Sequence, residues 1–432
     1  MHRMDIRERP SRARWLWIAP TLVLFELIGQ IDKVNIAVLL ADVRFLRDLD
    51  LIGQPARAGL LMTAFFVGYG TGQFLWGFLV DAIGPRRAAF ASVLLWSAIT
   101  GICGFATRVG HLYVARLALG LSEGGFWPIA NGYIARWFPV REHARMHSVW
   151  LSGWQLGQAV TPLLVTSLLT VTDWRGVFFA LSLLSLSPLI LIGFFAPDDP
   201  RRSRRANEAE RAFIAAGRAE EVLMIAQRSG VGAILRDGRF WLVTTIHMLG
   251  VIALYGLTTW IPTYVTQVRG FSLSSMGKWL ALAYLLPIGV LLLFGHVADR
   301  TMRRALVGAV GSILGAVFVL GAIAIPVRAL AILFLVLAAA PPAIMGAMNV
   351  SLIQTFISRS YIGRATGMCV GIANFLGSVG PGIVGYLLGL FGGSYWIAFG
   401  FISVVYILMS TLYLLLSRVM EEQEWAVAVQ RA

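Results

Sequence analysis

Charge is scarce in this chain of 432 residues, at 13% Asp, Glu, Lys and Arg together. A soluble domain carries about 25%. A chain this poor in charge cannot cover its folded surface with polar side chains. With 58% hydrophobic residues and a mean hydropathy of +0.75, its solvent is mostly lipid. Long polar runs are equally scarce. The one extended example is residues 197–238, which leaves no stretch for a separate soluble domain. Cysteine is nearly absent: Cys103 and Cys369 both fall within apolar runs. A disulfide framework is therefore excluded, and buried inert thiols are expected. No GxxxxGK phosphate loop occurs, so ATP drive is not expected. No catalytic serine or cysteine constellation stands out, so the chain is not read as an enzyme. His143 and His147 stand four apart in REHARMH. There the glutamate precedes the first histidine, which is not the HExxH zinc pattern. Neither a metal nor a cofactor is expected.

What is present is a set of apolar runs at residues 15–40, 58–80, 88–106, 112–138, 146–170, 176–196, 240–266, 276–298, 305–325, 329–357, 365–390 and 394–417. Each is about the length that a membrane-crossing helix needs, roughly 20 residues. The expected fold class is therefore an all-α membrane protein of twelve transmembrane helices. The 45 glycines fit, because glycine lets helices approach closely where lipid supplies no hydrophobic drive. The formal net charge is +14, but the arginines sit in short loops, so nucleic acid is not the expected partner. Sorted by alternate loops, about 26 Lys and Arg fall on the side of the termini and about 8 on the other, with Lys33 and Arg116 inside spans. That asymmetry places both termini and the central loop in the cytoplasm. The basic N-terminus MHRMDIRERPSRARW has no clear small-residue cleavage site and reads as leading into an uncleaved first span.

The chain repeats. GFLVDAIGPRR (Gly77–Arg87) follows the second run and GHVADRTMRR (Gly295–Arg304) the eighth. Gly77 aligns with Gly295, Asp81 with Asp299 and Arg86 with Arg304 at one offset. Arg145 and Arg364 give a weaker echo one residue out of register. Internal repeats are the usual architecture of secondary transporters, with the binding site at mid-membrane between the repeats. The expected organisation is a six-helix half at 1–196, a cytoplasmic linker at 197–238 whose apolar spacing suits short surface helices, and a second six-helix half at 239–432.

The Gly77–Asp81–Gly84–Arg86–Arg87 loop resembles the signature of the major facilitator superfamily, and the resemblance covers nearly the whole chain. IDKVNIAVLLAD, YGTGQFLWGFLVDAIGPRR, RLALGLSEGGFWPIANGYIARWFP, TTWIPTYVTQVRGFSLSSMG and GIANFLGSVGP resemble the anion:cation symporter family within it. The resemblance implies import of a small organic anion (a carboxylate such as a sugar acid or an aromatic acid) by proton symport. The partners are then the anion, protons and lipid, with a monomer as the expected state. The rivals are a proton-coupled antiporter or exporter, and a membrane sensor that binds an anion without moving it. GWQLGQAVTPLL in span five lacks the paired Gly-Pro and Gly-Gly of many exporters, although Gly377, Gly380, Pro381, Gly382 and Gly385 form a GP-rich stretch in span eleven. No signalling domain fits in the linker.

Charges inside spans carry the most information, because each costs a few kcal/mol at the bilayer centre. Arg116 and Glu123 stand seven apart on one helix face, about 10 Å along the axis. They match the symporter family's coupling pair. Glu123 is expected to carry the proton, since burial favours the neutral form of a carboxyl, and Arg116 to orient it. The alternative is a structural ion-pair network. Asp32 and Lys33 are adjacent and point about 100° apart. Lys33 is expected to contact the anion and Asp32 to assist proton coupling. The family has Asp-Arg here, and lysine lacks arginine's planar fork. The alternative is that the two neutralise each other, or that Lys33 pairs with Glu26, seven residues earlier on the same face. By position, Tyr69, Gln155 and Asn374 match the family's sugar-acid contacts. Their alternative, shared with Gln73 and Trp154, is interhelical hydrogen bonding. Gly77, Asp81, Gly84, Arg86 and Arg87 are expected to gate the cytoplasmic side, with Asp299, Arg300 and Arg304 doing the same in the second half. Trp127, Trp137, Trp154 and Trp260 favour an aromatic acid, unless they sit at membrane interfaces.

Overall fold

Apolar runs punctuated by proline, glycine and arginine become a bundle of helices in this computed structural model. The structure describes residues 10–225, 231–285, 304–341, 348–349, 352–353, 356–357 and 362–431. Among the described residues there are helices and no strands. The main ones are α1 (Ala19–Leu39), α2 (Pro55–Ile83), α3 (Pro85–Cys103), α4 (Val109–Glu123), α5 (Phe126–Trp137), α6 (Val140–Val171), α7 (Trp174–Leu184) and α8 (Ser187–Phe195). They continue with α9 (Glu208–Ile225), α10 (Gly238–Thr263), α11 (Leu273–Ala283), α12 (Arg304–Ala324), α13 (Arg328–Ala338), α14 (Ile362–Gly377), α15 (Gly380–Leu390) and α16 (Tyr395–Arg431). On length and composition, six stretches among the described residues suffice to cross a membrane: Pro55–Ile83, Trp174–Phe195, Gly238–Val268, Arg304–Ala324, Ala365–Leu390 and Tyr395–Met420. In α1 three charges, Glu26, Asp32 and Lys33, interrupt the apolar run.

Local chemistry sets the ends. Pro55 and Pro85 open α2 and α3, in a first turn where proline's missing N–H leaves no bond unmade. Gly84 joins those two helices at φ +84°, a conformation costly for any residue with a Cβ. Asp173 caps α7 by accepting from the Gly176 N–H at 2.9 Å, and Asp237 caps α10 by accepting from the Arg239 N–H at 2.9 Å, as short polar side chains do at helix starts.

Small residues set the spacing. A Cβ on Gly120 would lie 2.0 Å from the Phe65 carbonyl oxygen, and one on Gly68 2.1 Å from that of Leu117. The backbones of α2 and α4 therefore touch. Gly153 and Gly157 do the same for α6 against α1: a Cβ would fall 2.4 Å from the Val23 carbonyl oxygen and 2.6 Å from Gln30 Cβ, respectively. These contacts hold α1, α2, α4 and α6 in fixed register around their buried charges.

At the end of the bundle away from the termini, the early and late spans pack together. The Gly382 N–H donates to Thr63 Oγ1 at 3.1 Å. A Cβ on Gly385 would meet the Pro55 carbonyl oxygen at 2.5 Å, and one on Gly277 of α11 would meet Thr166 Oγ1 of α6 at 2.2 Å. Deeper in, Phe66 stacks on Tyr255 with centroids 3.7 Å apart.

At the other end α9 is tied to the start of the first span. Arg14 bridges Glu142 and Glu210, each at 2.8 Å. Glu210 also accepts from the Ala13 N–H at 2.8 Å, the Arg14 N–H at 3.2 Å and the Ser11 hydroxyl. Burial pushes the Glu210 carboxyl up, but the Ser11, Ala13 and Arg14 bonds outweigh it and hold the group below its ordinary value. A depressed pKa contributes stability above the unfolded value, about 4.3, that is lost as pH falls through the folded one. Wild type is therefore expected to lose thermal stability between about pH 5 and 3 more steeply than Glu210→Gln. Equal slopes would show that Glu210 contributes nothing.

Candidate functional site: a buried charge cluster

α1 delivers Glu26, Asp32 and Lys33, and α4 delivers Arg116 and Glu123, to one region of the interior. All five are buried. The charged groups whose fields reach Glu123 are Asp32, Lys33, Arg116 and Glu26. Three carboxylates thus share the cluster with two cations. None of the five makes an ion pair among the described residues.

Arg116 is held by backbone. Its guanidinium donates to the Asp32 carbonyl at 3.2 Å and the Lys33 carbonyl at 3.1 Å. It reaches Met62 Sδ at 3.5 Å and lies 4.6 Å from the Phe65 ring centroid. Its Nε has no partner. Arginine's fork suits two carbonyls on successive residues. It therefore fastens α4 to the middle of α1, and does not grip Glu123 directly. Asp32 accepts a hydrogen bond from the Ser185 hydroxyl in the break between α7 and α8, while its Oδ1 has no donor. Lys33 places its ammonium 4.3 Å from the Tyr69 ring centroid and 5.7 Å from that of Phe126. An aromatic face partly offsets the charge and leaves its donors free for an anion. Both carboxyl oxygens of Glu123 are buried without a donor among the described residues. An ionised carboxylate left so in an apolar interior is costly and tends to neutralise.

Tyr69 is buried beside this cluster and stacks on Phe65 at 5.9 Å. Gln155 and Asn374 are half-buried. Gln155 lies two turns before Pro162, whose carbonyl meets Gly277 of α11. The gating residues are less assembled than their sequence suggests. Asp81 and Arg87 are exposed, and Asp81 pairs with neither Arg86 nor Arg87. Asp198 takes that place: it accepts from the Arg86 N–H at 2.8 Å and from Arg136 at 3.5 Å. Arg86 Nη2 donates to the Gly193 carbonyl at 2.6 Å. Gly77 lies in the last two turns of α2 and Gly84 joins α2 to α3; Arg304 opens α12. Asp299 and Arg300 lie outside the described residues. A cavity of about 820 Å³ opens beside Gly84, lined by Arg86, Arg87, Arg136, Arg202, Asp198 and Asp199, and is distinct from the buried cluster.

Two of the tryptophans are pins. Trp137 donates to the Pro197 carbonyl at 2.9 Å and Trp260 to that of Pro381 at 3.1 Å, so both indole N–H groups are spent on backbone. His143 donates from Nε2 to the Phe138 carbonyl at 2.9 Å. Ser185, Met62, Gln30 and Asp198 have places here that the sequence reading did not give them. Only Gln30, a polar residue inside a charged span, carried a signal. In the late spans, Tyr413 donates to Asn349 Oδ1 at 2.9 Å and the Asn349 amide meets His247 Nδ1 at 3.2 Å.

The fold agrees with the comparisons to known proteins. The chain is 30% identical over 287 residues to a probable sulfoacetate transporter of Cupriavidus necator, covering 66% of this chain and 65% of that protein, just under two thirds of its length. It is 24% identical over 401 residues to a hexuronate transporter of Bacillus subtilis, covering 88% and 91%. Among solved structures, an inward-facing, unoccupied bacterial homologue of the human lysosomal transporter Spinster superposes with a TM-score of 0.74 at 16% identity, covering 94% of this chain and 97% of that one. A D-xylose–proton symporter gives 0.67 at 17% identity, covering 92% and 97%. At such identities the structures speak to fold alone. The sequence profile of the Major Facilitator Superfamily matches residues 34–380, and a match over that much of the chain makes this multi-pass membrane protein a member of the Major Facilitator Superfamily.

Proposed function

We propose that this protein is a secondary active transporter that imports a small organic anion, a carboxylate such as a sugar acid or an aromatic acid, by proton symport with alternating access. The observation that carries the reading is the buried cluster. Lys33 presents a cation with no carboxylate partner among the described residues, which suits an anion. Glu123 presents two carboxyl oxygens with no donor, which suits a group that gains and loses a proton. Asp32 assists the coupling, and Arg116 holds α1 and α4 in register. Tyr69, Gln155 and Asn374 line the path of the substrate. The names of the sulfoacetate and hexuronate relatives support an organic anion as the cargo. In this reading residues 1–196 and 239–432 rock against each other about the 197–238 linker, in a bacterial inner membrane with both termini in the cytoplasm, as a monomer.

The test is uptake into proteoliposomes. Radiolabelled sugar acids, aromatic acids and sulfonated acids should accumulate when the exterior is acidic, and a protonophore should abolish the accumulation. Uptake indifferent to both pH and protonophore would sink proton coupling.

The gating assignment has its own test. Asp81, Gly77, Gly84, Arg86 and Arg87, with Asp299, Arg300 and Arg304, form in this reading a latch that engages when the cytoplasmic side closes. A ligand shifts such an equilibrium only through its differential affinity for the two states. Asp81→Asn should therefore slow transport while leaving substrate affinity largely intact. A folded Asp81→Asn protein that no longer binds substrate would contradict the latch.

A further inference from the structure

We infer that Glu26 is a specificity-determining residue, which takes a hydrogen-bond donor carried by the substrate one to two helical turns from the acid group that Lys33 holds. The inference rests on the transport reading above and deepens it. Glu26, Gln30 and Lys33 stand at i, i+4 and i+7 of α1, on one face with a total rise of about 10 Å. All three are buried, at 5%, 1% and 4% exposure. Glu26 Oε2 and Gln30 Oε1 have no hydrogen-bond partner among the described residues. The Trp150 indole N–H lies close to Glu26 yet falls short of bonding geometry, and is itself unpaired. Along the helix the order is acceptor, acceptor, cation.

Glu26 sits near Tyr69 of α2 and Tyr255 of α10, residues of the early and the late spans. It does not close on Lys33, since the two make no ion pair. Gly153 lets α6 press against Glu26 Cβ, with a Cβ there only 3.1 Å away, so the side chain has a rigid back wall. A buried acceptor with no donor is costly to leave unmet. A ligand with an acid at one end and a donor further along would meet it, and an analogue without that donor would leave it exposed as an unpaired group. Sites built on that contrast discriminate strongly. A hydroxyl and an ammonium both supply the donor. An ammonium also offsets the excess of carboxylates over cations in the cluster.

The test uses the purified full-length protein and three acids of one length: hexanoate, 6-hydroxyhexanoate and 6-aminohexanoate. In the extended chain their variable end lies more than one helical turn from the carboxylate. Binding is read by calorimetry and transport by competition with labelled acid. Wild type should prefer at least one donor-bearing acid over hexanoate by about tenfold or more. Glu26→Leu should shrink that ratio to about twofold or less while retaining hexanoate. Glu26→Gln keeps the shape and so guards against misfolding of the leucine variant. It should lower the ratio too, because a neutral acceptor is weaker than an ionised one, and most for the ammonium if that is the natural donor. Wild type without a preference, or a folded Glu26→Gln protein with an unchanged ratio, overturns the inference. If neither these acids nor hexuronate nor sulfoacetate is bound or carried, the transport reading falls as well; if acids are carried without regard to Glu26, only the inference falls.

Discussion

Replacing Lys33 by alanine is expected to weaken anion binding by about a hundredfold or more. Truncating one partner of a buried charge pair costs about 2–5 kcal/mol, and every 1.4 kcal/mol is roughly tenfold in affinity. The expectation comes from what surrounds the ammonium. Tyr69 lies 4.3 Å from it as an aromatic face, and no carboxylate among the described residues pairs with it. Its hydrogen-bond donors are therefore uncommitted, and an incoming acid is the partner they lack. Lys33→Arg restores a cation of different shape and should keep binding within about tenfold of wild type, because a guanidinium also serves carboxylates. The rival account makes Lys33 a structural counter-charge to Glu26. On that account Lys33→Ala loses thermal stability and keeps affinity, and adding Glu26→Gln restores the stability. Calorimetry and thermal unfolding on the single and double variants separate the two. A folded Lys33→Ala protein with wild-type affinity would make the lysine structural.

The charges of α1 and α4 were legible because a charged residue in an apolar run is conspicuous against its neighbours. The spans were legible for the same reason in reverse: α2, α10, α12 and α16 are long apolar stretches ended by proline, glycine or polar residues. The positive φ at Gly84 is permitted by glycine's missing Cβ, but nothing in the sequence specified it. What the sequence concealed is who partners whom. Arg116 binds the carbonyls of Asp32 and Lys33, and a backbone carbonyl carries no residue identity to read. Ser185 reaches Asp32 from a serine-rich segment in which nothing marks one hydroxyl over the others. Asp198 replaces Asp81 at the start of α3 because the chain returns there more than a hundred residues later. Trp137 and Trp260 look like pocket linings in sequence, but each spends its N–H on a carbonyl. Composition finds the costly groups, and only the fold shows what meets the cost.

Glu123→Gln is expected to separate two activities that wild type performs together. Proton-driven accumulation should fall to background, while exchange of substrate across the membrane survives. Glu123 has both oxygens buried and unbonded, so an amide of the same shape enters the site without breaking a hydrogen bond. Glutamine also matches the protonated acid in charge. The variant therefore imitates the proton-loaded carrier. Arg116 stays on the α1 carbonyls in either form, since it does not depend on Glu123 for its bonds, and the helices should keep their register. With substrate bound, the carrier can still alternate between its two faces, which is all that exchange requires. Net uptake requires more: the empty carrier must return after giving up its proton. Glutamine has none to give up, so the return fails and accumulation stops. Counterflow and pH-driven uptake measured on one proteoliposome preparation read the two activities side by side. Loss of both in a well-folded variant would make Glu123 a binding or structural residue. Retention of both would route the proton elsewhere in the cluster, and Asp32, whose Oδ1 also lacks a donor, is the carboxylate that Asp32→Asn would then interrogate by the same pair of measurements.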